Sequence, residues 1–258
     1  MNPLQHSTPS RVTTSSLATE VDLLYLRAGK RGLVEHQEPL MRSWSARFEN
    51  SPPVRTLPSR PGQSNFPGMW WSATTGEHVA FESWLKRDQL MMLDFSPTVT
   101  GFSCHPFWLL WSANGDVRRH TPDFFARLRD GTGVVIDLCP DDLTAPQDTQ
   151  TNAVIVAACA SVGWIYRQVG VLDPVLAANM RWIAGYRHPR YDNEGHRPRL
   201  LKAFATPTPL LHGVDAVGEH IAVLPALFHL IWTGALTTDL VSAPLSGHSL
   251  VHTRTDTP

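Results

Sequence analysis

Cysteine is scarce in this 258-residue chain: there are three, Cys104, Cys139 and Cys159, with no CxxC pair. An odd number without paired spacing argues against a disulfide framework and makes a reducing cytoplasm the expected compartment. Charge is also in short supply, at 17% Asp, Glu, Lys and Arg with a formal net charge of -1. That balance excludes a protein that coats nucleic acid by bulk electrostatics. A DNA-acting chain of this kind needs a local basic face or a partner that brings the DNA. Long apolar runs are missing too. The longest, "AVIVAACASVGWIY" (Ala153 to Tyr166), is broken by Gly163 and is too short to span a bilayer. The polar N-terminus "MNPLQHSTPSRVTTSS" lacks the apolar segment of a secretory signal. A soluble cytoplasmic protein with no membrane partner is the expectation. The 42% hydrophobic content and nine tryptophans point to a well-filled core.

Composition divides the chain into three parts. Residues 1–65 read as an N-terminal extension, partly disordered, that ends in the Pro-rich connector "SPPVRTLPSRPGQSNFPG". Residues 66–172 carry regular patterning. "EHVAFESWLKRDQLMMLDF" reads as an amphipathic helix with Phe81, Trp84, Leu85 and Met92 inward and Glu82, Lys86 and Gln89 along its edge. "HPFWLLW", "DFFARL" and "GVVIDL" read as strands, the last two joined by the hairpin turn "RDGTG". "QDTQTNAVIVAACASVG" reads as a helix closed by Gly163, and "WIYRQV" as a strand parallel to its predecessor. The order is helix, three strands, helix, strand. Residues 173–258 open with a helix capped by Asp173-Pro174 and continue through a polar, basic linker. A tail follows whose helix, turn at Gly234, short helix near Asp239 and terminal strand suit a small winged-helix-like module.

The chemistry is sought where acids converge. Asp123 opens one arm of the hairpin and Asp137 closes the other, so pairing through the turn brings them opposite one another. Glu82 supplies a third carboxylate from the helix. Hard oxygen ligands of this kind suit Mg²⁺ or Mn²⁺, which polarises a phosphodiester and generates hydroxide. Acids at hairpin ends are, by themselves, more often solvated turn residues. Cys104, His105, His120 and Cys139 follow no zinc-ligand spacing and read as core packing.

"FESWLKRDQLMMLDFSPTV", "RRHTPDFFARLRDGTGVVIDL" and "CASVGWIYRQVG" together resemble the TnsA-like endonuclease subunit of heteromeric transposases, a branch of the PD-(D/E)xK restriction-endonuclease-like fold. The likeness covers residues 66 to 187, with a family-like tail from Leu224 to Leu250. It implies an α/β restriction-endonuclease-like core followed by a small, mostly helical, winged-helix-like domain. It also implies nicking of the non-transferred strand at transposon ends, with Mg²⁺ or Mn²⁺ held by Glu82, Asp123 and Asp137. A DDE transposase would transfer the strand, and a AAA+ ATPase would regulate the assembly. The family's lysine falls on residue 139, which here is Cys139. A thiol has no positive charge to offer a transition state. The candidates to replace it are Lys86, one helical turn from Glu82, and Arg119 and Arg127 near the hairpin. The alternative is a subunit that has lost cleavage and serves assembly or DNA docking.

Overall fold

The computed structural model describes residues 20–55, 66–139 and 146–254. The Ser/Thr-rich start and most of the Pro-rich connector lie outside this set. The chain is mixed α/β and divides into two units: one is residues 1–87 with 98–171, the other residues 88–97 with 172–258. No helix among the described residues is long and apolar enough to cross a membrane.

The first unit begins with β1 (Val21–Gly29) and β2 (Gly32–Pro39), followed by the short helix α1 (Leu40–Ser43) and a 3-10 turn at Phe48–Asn50. Alternation drives β1: Val21, Leu23 and Tyr25 are buried and the residues between them are not. It pairs antiparallel with β2 across a two-residue turn, Gly29 opposite Gly32, and Gly32, the residue just after the turn, takes a positive φ that a β-carbon disfavours. Next come the hairpin of β3 (Gly68–Trp71) with β4 (His78–Phe81), helix α2 (Trp84–Phe95), β5 (Val99–Cys104), β6 (Phe107–Ala113) and β7 (Asp116–His120). Strands β8 (Phe124–Leu128) and β9 (Gly133–Leu138), helix α3 (Pro146–Ser161) and β10 (Ile165–Val169) complete the unit.

Two four-stranded sheets result. One has the order β2-β1-β6-β7 and the other β10-β9-β8-β5. In the second sheet β5, β8 and β9 are antiparallel and β10 lies parallel to β9 across the α3 crossover. Phe48 joins the two sheets. Its ring meets Tyr25 at 5.1 Å, Phe107 at 4.9 Å, Phe125 at 5.7 Å and Trp164 at 5.8 Å, all nearly edge to face. Such pairs add about 0.5–1.5 kcal/mol each to the burial itself. Gly133 admits Trp164 to this cluster, since a Cβ there would lie 2.7 Å from the indole.

Three sequence expectations are corrected here. Residues 21–50 are not an extension: β1 is an interior strand, paired with β6 from Val21–Trp111 to Tyr25–Phe107. The stretch read as one helix from Glu77 starts as strand β4 and becomes helical only at Trp84, and Trp84 faces solvent. The first strand of the second sheet is β5, which comes before "HPFWLLW"; that run became β6 of the other sheet, with β7 as an unforeseen partner.

The second unit takes α2 from Asp88 onward and adds α4 (Pro174–Ala184), α5 (Arg197–Ala203), β11 (Thr208–Pro209), α6 (Leu210–Asp215), α7 (His220–Trp232), β12 (Leu236–Thr238) and β13 (Leu250–Thr253). Asp173 caps α4 by accepting from the amides of Val175 and Leu176, with Pro174 at the first helical position. The three short strands form an antiparallel sheet in the order β11-β13-β12. The basic linker thus contains α5 and β11. The helix expected near Asp239 is a turn instead, in which Asp239 accepts from the Val241 and Ser242 amides. Asn179, buried on α4, pins the following loop by donating to the carbonyls of Leu240 and Ala243 and accepting from Leu245.

Candidate functional site

Glu82 lies one residue before the N-cap of α2. Ser83 is the cap: its Oγ accepts from the Lys86 amide at 3.3 Å, and its carbonyl accepts from Arg87. Lys86 stands one turn on, and its ammonium donates both to Glu82 and, at 2.7 Å, to Oδ1 of Asp123. Only three lysines occur in the chain, Lys30, Lys86 and Lys202, and this one joins the two acids. Asp123 sits immediately before β8, and its Oδ2 accepts from the Leu138 amide at 2.7 Å.

Two further residues close the cluster. Arg55 directs Nη2 at both carboxylate oxygens of Glu82, 2.8 Å from each. His105 occupies the two-residue link in which the chain leaves one sheet, after β5, for the other at β6. It is fully buried and holds a φ of 45°, the left-handed region that a β-carbon disfavours. Its amide donates to the Asp123 carbonyl and its carbonyl accepts from Val54, so both neighbours fix the strained link. Backbone strain of this type is concentrated at functional sites.

The tautomer of His105 follows from its partners. Nε2 lies 3.1 Å from Arg55 Nη2 and 3.4 Å from Lys86 Nζ, and both of those groups can only donate. Nε2 is thus the acceptor, and Nδ1 carries the proton toward Cys104 Sγ at 3.2 Å. Burial pushes the imidazole pKa down and keeps the ring neutral. Burial also works against an ionised Asp123. The Lys86 ammonium and the Leu138 amide outweigh it and hold the carboxyl down to about 2. Lys86 moves the other way: burial disfavours its charge, but Asp123 and Glu82 raise its pKa above the ordinary lysine value.

Asp137, across the hairpin, belongs to a different network. Its Oδ1 accepts from the Asp123 amide at 3.2 Å. Its Oδ2 accepts from the Tyr166 hydroxyl and lies 2.8 Å from His120 Nε2, and Tyr166 also reaches Asn152. Burial beside that carboxylate pushes the Tyr166 pKa far up, so it stays a hydroxyl donor.

The structure therefore brings together Glu82, Asp123 and Lys86, adds Arg55 and His105, and leaves Asp137 outside. Among the described residues no three Asp, Glu, His or Cys side chains are arranged to hold a metal ion. Glu82 and Asp123, close enough to share one ammonium, still fit a hard divalent cation: Mg²⁺ is commonly bound through one or two carboxylates together with substrate phosphate. The other replacement cations are occupied elsewhere. Arg119 stacks over Trp108 at 4.6 Å; Arg127 bonds Glu49 and the carbonyls of Ala46 and Gly131. Cys139 continues the pairing with β10 through Val169 and accepts from Gln168 at 3.5 Å.

Arg55 and His105 were missed in the sequence. Nothing in the Pro-rich stretch around Arg55 marks it. For His105 the break between the apolar runs "GFSC" and "FWLLW" was the available signal. No protein-family model matches the chain, and a search of curated proteins finds no match.

Proposed function

We propose that the chain is a metal-dependent DNA endonuclease subunit of a heteromeric transposase, nicking the non-transferred strand at transposon ends beside a DDE transposase and a AAA+ regulator. One observation carries this reading: Lys86 holds its ammonium between Glu82 and Asp123, supplying from the helix the cation that Cys139 does not supply from the strand. The sheet order β10-β9-β8-β5, with α2 before it and α3 as the crossover, supports a restriction-endonuclease-like core. The order α5, β11, α6, α7, β12, β13 supports a winged-helix-like module after it.

Glu82 and Asp123 would hold Mg²⁺ or Mn²⁺, which when bound supplies an activated water and a counter-charge for the phosphodiester. Lys86, seated between the two acids, would offer its ammonium to the charge that grows on the phosphate oxygens. One such preorganised contact is typically worth about 10²- to 10³-fold in rate. Arg55 fixes the Glu82 carboxylate in both oxygens. Neutral His105 takes no charge from the site and orients Arg55 through Nε2.

The test is nicking of transposon-end DNA in Mg²⁺ or Mn²⁺, with the partner transposase present. Wild-type protein nicks one strand, and Asp123→Ala removes the nick while retaining the fold by circular dichroism. Equal nicking by that variant overturns the assignment. A second reading, a non-cutting assembly subunit, draws on Asp137, whose carboxylate is engaged by His120, Tyr166 and the Asp123 amide. Absence of wild-type nicking under all these conditions selects it.

A further inference from the structure

Beside the acid cluster lies a second feature that its chemistry does not use. Trp84 opens α2, two residues after Glu82 and two before Lys86, and it is 51% exposed. Phe66, 60% exposed, meets it with ring centroids 6.1 Å apart and planes tilted by 39°. The Arg87 guanidinium lies 4.3 Å above the indole. Two aromatic faces are thus held open to solvent, side by side, with a cation stacked on one of them.

The geometry points to a stacking platform for an unpaired nucleobase next to the scissile phosphate. This rests on the endonuclease reading for what occupies the neighbouring cluster. The class of ligand follows from the mixture of groups. Arg87 holds its guanidinium against the indole, and the rings offer π-faces. That combination is how single-stranded nucleic acid is held without sequence readout. In a continuous duplex every base face is already covered by its neighbours. A platform here therefore selects DNA that is frayed, flapped or distorted at the cut.

The experiment compares two fluorescent DNAs by anisotropy with the full chain in Ca²⁺: a fully paired duplex, and the same duplex carrying a short single-stranded flap. Wild-type protein is expected to favour the flapped DNA. Trp84→Ala/Phe66→Ala should bind the flapped DNA about tenfold more weakly while its affinity for the paired duplex stays within about twofold. Trp84→Phe, which keeps a ring, should retain most of the preference. A double variant that loses nothing, or loses equally on both DNAs, overturns the platform, as does wild-type protein that binds neither. Nicking of the same DNAs in Mg²⁺ is read separately. A ring-dependent flap preference without any nick leaves the platform standing and removes the endonuclease. An Asp123-dependent nick with flap affinity unchanged in the double variant does the reverse.

Discussion

Asp123 and Asp137 face each other across the end of one hairpin, and their first contacts mirror one another. Each accepts a backbone amide from the opposite strand: Asp137 from Asp123, and Asp123 from Leu138. What differs is the partner of the remaining oxygen. For Asp123 it is the ammonium of Lys86; for Asp137 it is a tyrosine hydroxyl and an imidazole. An aspartate held by a buried cation keeps its charge down to strongly acidic pH and shares that cation with a second acid. An aspartate held by hydroxyl and ring donors ties β7 of one sheet to β9 and β10 of the other at the same place. One fold position thus supplies charge and its twin supplies geometry, although the sequence presents them as equivalent.

Removing the cation from the Asp123 side should produce the largest contrast. Lys86→Met leaves two mostly buried carboxylates with only Arg55 to offset them, and uncompensated buried charge typically costs about 3–5 kcal/mol. The lower end applies here, since Arg55 remains on Glu82. Nicking should fall by about 10²- to 10³-fold as well. The matching change on the other side, Tyr166→Phe, deletes one neutral donor to an acceptor that keeps His120, at about 1 kcal/mol. Urea unfolding of the two variants tests the asymmetry: equal losses would mean that Lys86 is no more than another structural partner.

Acid separates the two sides more gently. The Asp123 carboxyl drops from 3.8 to about 2 on folding. A carboxyl held below its unfolded value stabilises the fold above that value, and the contribution fades as pH falls from about 4 toward about 2. Its size is about 2 kcal/mol. Asp123→Asn should therefore be less stable than wild type at neutral pH, and the gap should narrow through that acid window. A gap that stays constant with pH would show that shape, not charge, sets the contribution.

How much of this was legible depends on the range of the signal. The β8–β9 hairpin is written locally, in "RDGTG" and the alternating runs beside it, so the facing of Asp123 and Asp137 followed from register alone. The Asp173 cap is equally local. Strand β1 was not legible, because Leu24 and Leu26 on its second face hide the period of two, and its partner β6 lies more than eighty positions away. β5 was lost for a similar reason: "VTGFSC" has small and polar residues on a strand that is almost wholly buried. The cluster divided in the same manner. Lys86 beside Glu82 is a helical spacing and was readable, whereas Arg55 and His105 reach Glu82 and Asp123 only through tertiary folding. That Asp137 would turn toward Tyr166 depended on β10 lying parallel to β9 in one particular register, Gln168 opposite Asp137.

The smallest expected effect bears most directly on Cys139. If that thiol were a true vacancy in the site, Cys139→Lys should raise nicking by an order of magnitude or more. With Lys86 already between Glu82 and Asp123, a second ammonium arrives at a site whose cation is in place, and the change should stay within about threefold. The same substitution made in Lys86→Met should behave differently and recover about tenfold, because it then restores a missing charge. The interaction between the two changes, measured as a double-mutant cycle on nicking rates, is the quantity of interest. A large coupling means that residues 86 and 139 are alternative seats for one lysine. Additive effects would place Lys86 among the residues that hold Asp123 and leave the charge of the reaction to another group.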